Sequence, residues 1–414
     1  MLSAGVTFLS THAPAAPPRL DRSSGSRSNL GSLLLVLLVV FSSKPGGVAT
    51  SASLAIILAG VMLVALRHPG TLREIRLPAI GTAFVMCGVG TSFLALENYR
   101  AAAAAASLVV PFLAAAAAAR LVPFVAALDI VDRTMLLVIS VSLTLGIVAP
   151  GIAVTQVGPT TGALKGLFWH KNHFGFFVVL SVGIWGARWT IQNSPFRTTT
   201  ALRIVVYAAT LAWIDSTGSI LLGALIVLIV FICRRMRYKP SRKRTDSAVV
   251  AIAYFGAIAV VSGPLLAPWL LDRLGKVPSM EGRLAIWNAV GELIQEHPWI
   301  GYGRGFSLGS SSESSAEISQ SIGYEARSVH NGYLAVALES GVVAAALGVL
   351  FLVTLLFSAY LGTQRMTSWA VVARPVLMAL ALVSFYESRA FHDQGWAFLC
   401  LIACWGAASK AQRE

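Results

Sequence analysis

The chain has 414 residues, of which 56% are hydrophobic and 12% charged, and 32 Lys and Arg against 18 Asp and Glu give it a net charge of +14. A soluble domain carries about 25% charged residues, so the composition excludes an ordinary soluble fold. The basic surplus sits in short loops beside apolar segments, which is the pattern of membrane orientation signals rather than of nucleic-acid binding.

Apolar segments recur near 30–43, 47–66, 78–96, 101–119, 134–154, 173–189, 201–214, 219–233, 248–270, 332–359, 374–386 and 393–408, which predicts about twelve transmembrane helices. The fold class expected is therefore an all-α polytopic membrane protein with a large helical loop on one face. Arg19, Arg22 and Arg27 before the first segment give it the look of a secretory signal. It lacks a small-residue cleavage site and more spans follow at once, so a retained first helix is expected. The alanine runs Ala101–Ala106 and Ala114–Ala119 read as surfaces for close helix contact in lipid, and Arg120 as the end of such a helix. Cys87, Cys233, Cys400 and Cys404 lie in apolar helices and read as small hydrophobes.

Orientation follows from charge. Arg67, Arg73 and Arg76, then Arg188 and Arg197, then the run from Arg234 to Arg244 fall in loops of one side, which the positive-inside bias makes cytoplasmic. This divides the chain into a cytoplasmic tail at 1–29, nine spans over 30–270, an outer loop at 271–331, three spans over 332–408 and a second cytoplasmic tail at 409–414. Between Asp272 and His330 the loop holds seven acids and five Lys or Arg, nearly in balance. A connection this long with helical content of its own is more often functional than passive.

Several polar constellations fall on the outer side. The stretch GLFWHKNHFG at 166–175 sets His170, Lys171, Asn172 and His173 in succession. Consecutive residues rarely converge on one ion and no acid stands beside them, so a metal site is not expected there. Lys171 instead offers a point charge suited to phosphate, and Asn172 a hydrogen-bonding amide. Asp215 lies in the next outer turn, where it either faces a ligand or caps the following helix. Glu387, Arg389, His392 and Asp393 share a third turn, in which Arg389 either pairs with an acid or meets an anion.

Within the large loop, Arg283, Trp287, Val290 and Ile294 recur at helical spacing, and Pro298 closes the helix. Arg283 then stands at the leading edge of an apolar face, placed either for a catalytic role or for lipid phosphate at an interface. The stretch HPWIGYGRG at 297–305 follows, and its alternating glycines permit a tight backbone path that would aim Arg304 into a polar site. It lacks the spacing of a nucleotide-binding loop. The Ser- and Glu-rich segment 309–321 reads as a mobile lid. The loop ends at Arg327, His330 and Asn331, where an imidazole suited to proton transfer stands beside an amide able to orient a neighbour. Glu339 lies about two turns into the next helix, and an acid at that depth is a candidate for function.

The ordered set GLFWHKNHFG, GRLAIW at 282–287, HPWIGYG at 297–303, His330-Asn331 and Glu339 to Gly341 resembles the O-antigen ligase and exopolysaccharide polymerase superfamily, and His170-Lys171-Asn172 resembles its exopolysaccharide branch. The resemblance covers roughly 165–341 by motif and nearly the whole chain by topology. It implies a metal-independent, inverting glycosyltransferase of the bacterial inner membrane, with its active site facing the periplasm and no cofactor. The donor it implies is a glycan on undecaprenyl pyrophosphate, and the acceptor either a second lipid-linked glycan, as in a polymerase, or lipid A core, as in an O-antigen ligase. Membrane lipids and other polysaccharide assembly proteins complete the partners it implies, and nucleic acid is not among them. Carried onto this chain, the resemblance makes Arg283 the phosphate-handling arginine and His330 the loop-end histidine, as base or as orienting group, with Glu339 in support.

The chain departs from the family at Ser216 to Ser219, where members often carry an arginine. A second cation for pyrophosphate must then come from Lys171, Arg304, Arg327 or Arg389. The His-Lys-Asn element favours the polymerase. A lipid-linked glycan flippase is the alternative of a different class, and it would distribute polar residues along a central path instead of gathering them at one mouth.

Overall fold

A computed structural model describes residues 22–42, 50–70, 78–96, 98–156, 160–195, 197–238, 278–306, 328–364, 368–385, 387–388 and 391–411. Its helices are α1 Arg22–Ser42, α2 Thr50–Arg67, α3 Ala79–Ala95, α4 Asn98–Leu121, α5 Phe124–Val148, α6 Pro150–Ala153 and α7 Lys171–Ile191. They continue as α8 Thr198–Ile214, α9 Thr217–Tyr238, α10 Pro278–Glu296, α11 Gly332–Gln364, α12 Ser368–Val383 and α13 Asp393–Ala411. Every expected apolar segment on described residues coincides with one of these helices, while the segment 248–270 lies outside the described residues.

Among the described residues four helices are long and apolar enough to cross a membrane: Tyr99–Leu121, Lys171–Ile191, Thr217–Arg235 and Gly332–Tyr360. The shorter apolar helices beside them include Ser28–Ser42, Ser51–Arg67, Ala79–Ala95, Thr198–Ile214 and Ser368–Val383. The outer surface stays apolar, with Leu66, Met86, Leu94, Ile147, Leu202, Val353 and Phe357 exposed. A helical bundle that presents this much apolar side chain outward is solvated by lipid.

Short connections make successive helices run antiparallel. α7 occupies the centre, buried along most of its length and packed on α5, α8, α9 and α12. The second alanine run fulfils its expected part: Ala114 to Ala118 on α4 are buried, and α4 packs on α1, α2, α3 and α13. Methyl side chains let backbones approach closely where larger ones would hold them apart. Cys233, Cys400 and Cys404 are buried and Cys87 half-buried, all as free thiols, as their apolar settings predict.

The alternation brings the C-terminal ends of α1, α3, α8 and α12 to the same end of the bundle as the N-terminal ends of α2, α4, α7, α9, α11 and α13. α10 packs on α11 at that end through a small apolar core of Ile286, Val290 and Leu293 against Val329, Ala335 and Leu338. The expected face of α10 is thus turned slightly. Trp287 and Ile294 lie at its margin, and Ile286 and Leu293 take its centre.

A break in α11 anchors the loop. Gly341 has φ 81° and ψ 169°, so the helix is interrupted and carbonyls of the preceding turn lose their partners. The segment after Pro298 fills the gap, with Tyr302 N donating to Leu338 O at 2.8 Å, Gly303 N to Glu339 O at 2.9 Å and Val342 N to Pro298 O at 2.8 Å. Only glycine fits there, because a Cβ on Gly341 would stand 2.1 Å from the Trp299 carbonyl oxygen. On the facing strand of chain a Cβ on Gly301 would stand 2.6 Å from Leu338 O.

Candidate active site

Two clusters of polar side chains meet at this end of the bundle. The first joins α7 to the turn after α12. Asn172, in the first turn of α7, donates from Nδ2 to Glu387 Oε1 at 2.7 Å. The same carboxylate oxygen lies 3.4 Å from His330 Nδ1, a charge-pair distance at which the ring nitrogen makes no hydrogen bond. Glu387 is 4% exposed, so its charge is screened little by solvent. His330 itself holds φ 51°, a left-handed backbone that is uncommon for side chains other than glycine.

Next to it, Lys171 Nζ donates to the Asp215 carbonyl at 2.7 Å and lies 3.9 Å from the Asp215 carboxylate. Asp215 is 82% exposed at its side chain and closes α8 as a left-handed C-cap. The expected cap on the following helix is therefore a cap on the preceding one. His170 is the N-cap of α7, its Nδ1 accepting from Asn172 N at 3.2 Å. Asn331 likewise spends its side-chain oxygen on α11, accepting from Tyr333 N at 3.0 Å and Leu334 N at 3.1 Å. Both residues, expected as substrate groups, commit part of their polar capacity to orphan N–H groups at helix starts.

The second cluster is buried behind the Gly341 break. Glu339 Oε2 lies 2.8 Å from His392 Nε2 and 3.8 Å from Arg304 Nη1. Arg304 also donates from Nε to Ser107 Oγ at 2.8 Å and from Nη2 to Phe391 O at 2.6 Å. Burial lowers the Arg304 pKa, and the nearby carboxylates of Glu339 and Asp393 act the other way to hold the guanidinium charged. Glu339, expected in support of His330, pairs instead with His392 and Arg304 because the helix break turns its face toward the 301–305 loop. At the loop's start, His297 meets the Tyr302 ring edge-on at 4.7 Å, and Tyr302 Oη donates to Glu296 at 2.5 Å.

A cavity of about 630 Å³ opens beside the second cluster. Phe41, Leu54, Ile57 and Leu96 give it an apolar wall, and Arg100, Arg304 and His392 give it a polar one. The clusters are linked: Gln394 Nε2, in the first turn of α13, donates to His173 O at 3.0 Å, and Gly332 N donates to Ser384 O at 2.7 Å. Among the described residues, Asp215, His330 and Asp393 account for all but one of the non-glycine residues at positive φ, so the backbone strain is concentrated here.

Arg283 is half-buried on α10, one turn before Trp287. Trp287 Nε1 donates to Val329 O at 2.9 Å, so α10 is tied to the chain that delivers His330. Arg327 and Arg389 lie outside the described residues, as does the expected lid at 309–321. Glu387 and His392 are the participants that the sequence reading left in the background. Each is an acid or an imidazole in a short turn between apolar spans, a signal present in the sequence but overshadowed there by Arg389. No group of three or more His, Cys, Asp or Glu able to hold a metal is found among the described residues.

Fold and site together define a helical membrane protein with two linked clusters of ionisable side chains at one mouth of the bundle. A family model described as O-antigen ligase matches residues 202–349, from α8 into α11, and supports membership of the O-antigen ligase superfamily. The matched stretch contains Asp215, Arg283, Arg304, His330, Asn331 and Glu339. A comparison with curated proteins gives no match.

Proposed function

We propose that the chain is a glycosyltransferase of the polysaccharide polymerase or ligase type, set in a bacterial inner membrane with its site on the periplasmic face. It takes a glycan from an undecaprenyl-pyrophosphate carrier and adds it to a growing lipid-linked polysaccharide. The observation that carries this reading is the meeting of His330, Glu387, Asn172 and Lys171 at the bundle mouth that also holds the amphipathic cavity. The family match supports the same general activity.

In the proposed reaction the acceptor hydroxyl oxygen attacks the anomeric carbon from the face opposite the pyrophosphate. The new glycosidic bond forms as the bond from that carbon to the phosphate oxygen breaks, so the configuration inverts. Undecaprenyl pyrophosphate departs with the electron pair, and the hydroxyl proton passes to the His330 imidazole. Glu387 then faces an imidazolium, which its carboxylate stabilises. Because the leaving group is already good, the chief requirement is positive charge fixed where the pyrophosphate charge develops. Arg283 supplies it in this reading, joined by Lys171 and Arg100, while the apolar cavity wall takes the start of the prenyl chain. Arginines neutralise the pyrophosphate without a divalent ion.

The match to an O-antigen ligase family favours a second reading, transfer of the finished polymer to lipid A core. The test is reconstitution of the full chain in lipid with an undecaprenyl-pyrophosphate glycan and either acceptor. Carrier release that requires a lipid-linked glycan supports the polymerase, and release that requires lipid A core supports the ligase. Carrier release with neither acceptor would sink both.

A further inference from the structure

At the opposite end of the bundle a second charge network joins α5, α7 and α8, and it plays no part in the proposed transfer. Asp132 is fully buried, with Arg188 Nη1 at 2.6 Å from its Oδ2 and Arg203 Nη1 donating to both of its oxygens at 2.9 Å. Arg188 also pairs with Asp129 through Nη2, and Arg133 Nε lies 2.8 Å from the other Asp129 oxygen. Three arginines thus share two aspartates. A fourth, Arg234, stands 3.8 Å over the Trp189 ring and donates to the carbonyls of Trp189 and Ser194.

A cavity of about 280 Å³ opens against this network, lined among others by Trp185, Arg188, Gln192, Ser194, Thr200 and Arg203. Among the described residues no carboxylate lines it, because Asp132 lies behind the two arginines. Arg188 keeps a buried Nε–H with no acceptor among the described residues. The wall therefore offers guanidinium, hydroxyl and amide donors in excess of acceptors, which is the chemistry of a phosphate site. The surroundings identify its carrier. Leu202 and Val205 on α8 and Phe231 on α9 are exposed and apolar, and Trp185 and Trp189 stack at 6.0 Å between the ring centroids. Tryptophans beside basic groups at a helix end mark the membrane–water interface, where basic pockets between helices take lipid headgroups.

We propose that this cavity binds the phosphate headgroup of an anionic membrane phospholipid, whose acyl chains lie on the apolar faces of α8 and α9. The surplus of arginine and the lack of a lining carboxylate select against headgroups that carry an ammonium. The bound lipid bridges α7 to α8 and adds a third acceptor to a network short of them.

Native mass spectrometry of the delipidated full chain in a neutral detergent tests this with phosphatidylglycerol and phosphatidylcholine. The wild-type chain should retain one phosphatidylglycerol about tenfold or more over phosphatidylcholine. Thr199 is exposed and lines the cavity without entering the ion pairs. Thr199→Glu places a carboxylate there in the first turn of α8, where an acid suits the helix, so folding should be kept. This variant should lose the preference while its melting temperature without lipid stays unchanged. Equal retention of the two lipids by the wild-type chain, or an undiminished preference in Thr199→Glu, overturns the proposal. Displacement of phosphatidylglycerol by millimolar inorganic phosphate also overturns it, since the site would then serve a free anion.

Discussion

His330 sits where three constraints meet: a left-handed backbone, a buried carboxylate 3.4 Å from its Nδ1, and the N-terminus of a spanning helix two residues on. Strain of this kind costs about 1–3 kcal/mol and persists only where surrounding contacts impose it. If the imidazole takes the acceptor proton, His330→Ala should lower turnover by about a hundredfold or more, with the melting temperature nearly unchanged. Turnover assays of the reconstituted chain check this, and near wild-type turnover would remove His330 from the chemistry. Glu387→Gln keeps an oxygen for Asn172 but removes the charge facing the imidazole. It should lower kcat about tenfold while leaving the acceptor KM close to the wild-type value. A change confined to KM would make Glu387 a substrate contact instead. Arg304 differs in kind, since its guanidinium is buried among Ser107, Phe391 and Glu339. Arg304→Met leaves Glu339 short of a cation in the interior and should cost about 3 kcal/mol of stability, read from equilibrium denaturation.

At the scale of elements the break in α11 matters most. It releases carbonyls of the preceding turn, and the loop after α10 supplies the N–H groups that satisfy two of them. The HPWIGYGRG and Glu339-Ser340-Gly341 motifs, separate in sequence, are two halves of one backbone junction. Gly341→Ala puts a methyl against the Trp299 carbonyl at a φ that disfavours side chains, so it should destabilise the chain by about 2 kcal/mol or more. Hydrogen exchange should then show the amides of Tyr302 and Gly303 exchanging faster, whereas unaltered protection would mean the junction does not depend on this glycine. α10 shows how far periodicity reaches. Its spacing specifies an apolar stripe, but a stripe at period 3.6 tolerates rotation by a residue. The partner residues Val329, Ala335 and Leu338 select Ile286, Val290 and Leu293 as its centre.

For the whole molecule, the antiparallel alternation sorts ionisable groups to two ends with different chemistry. One end pairs imidazoles with buried acids beside an amphipathic cavity, and the other holds arginines in surplus. If Arg283, Lys171 and Arg100 neutralise the donor unaided, turnover should survive exhaustive chelation, and a requirement for added divalent ion would overturn that part of the mechanism. In cells, deletion of the gene should remove long surface polysaccharide chains if the protein is a polymerase. Long chains that accumulate unattached to lipid core would instead mark a ligase.

The sequence by itself determined the membrane setting, the helical class, nearly every helix position on described residues and the concentration of candidate groups at the turns of one side. These follow from composition, apolar run length and loop charge, which are local properties of the chain. Only the tertiary structure decided the partners. Asn172 and Glu387 are joined although 215 positions apart in the chain, His392 rather than His330 receives Glu339, and Asn331 and His170 are drawn into capping. Which polar groups pair depends on helix rotation and on where α11 breaks, and both are settled by packing between segments far apart in the chain.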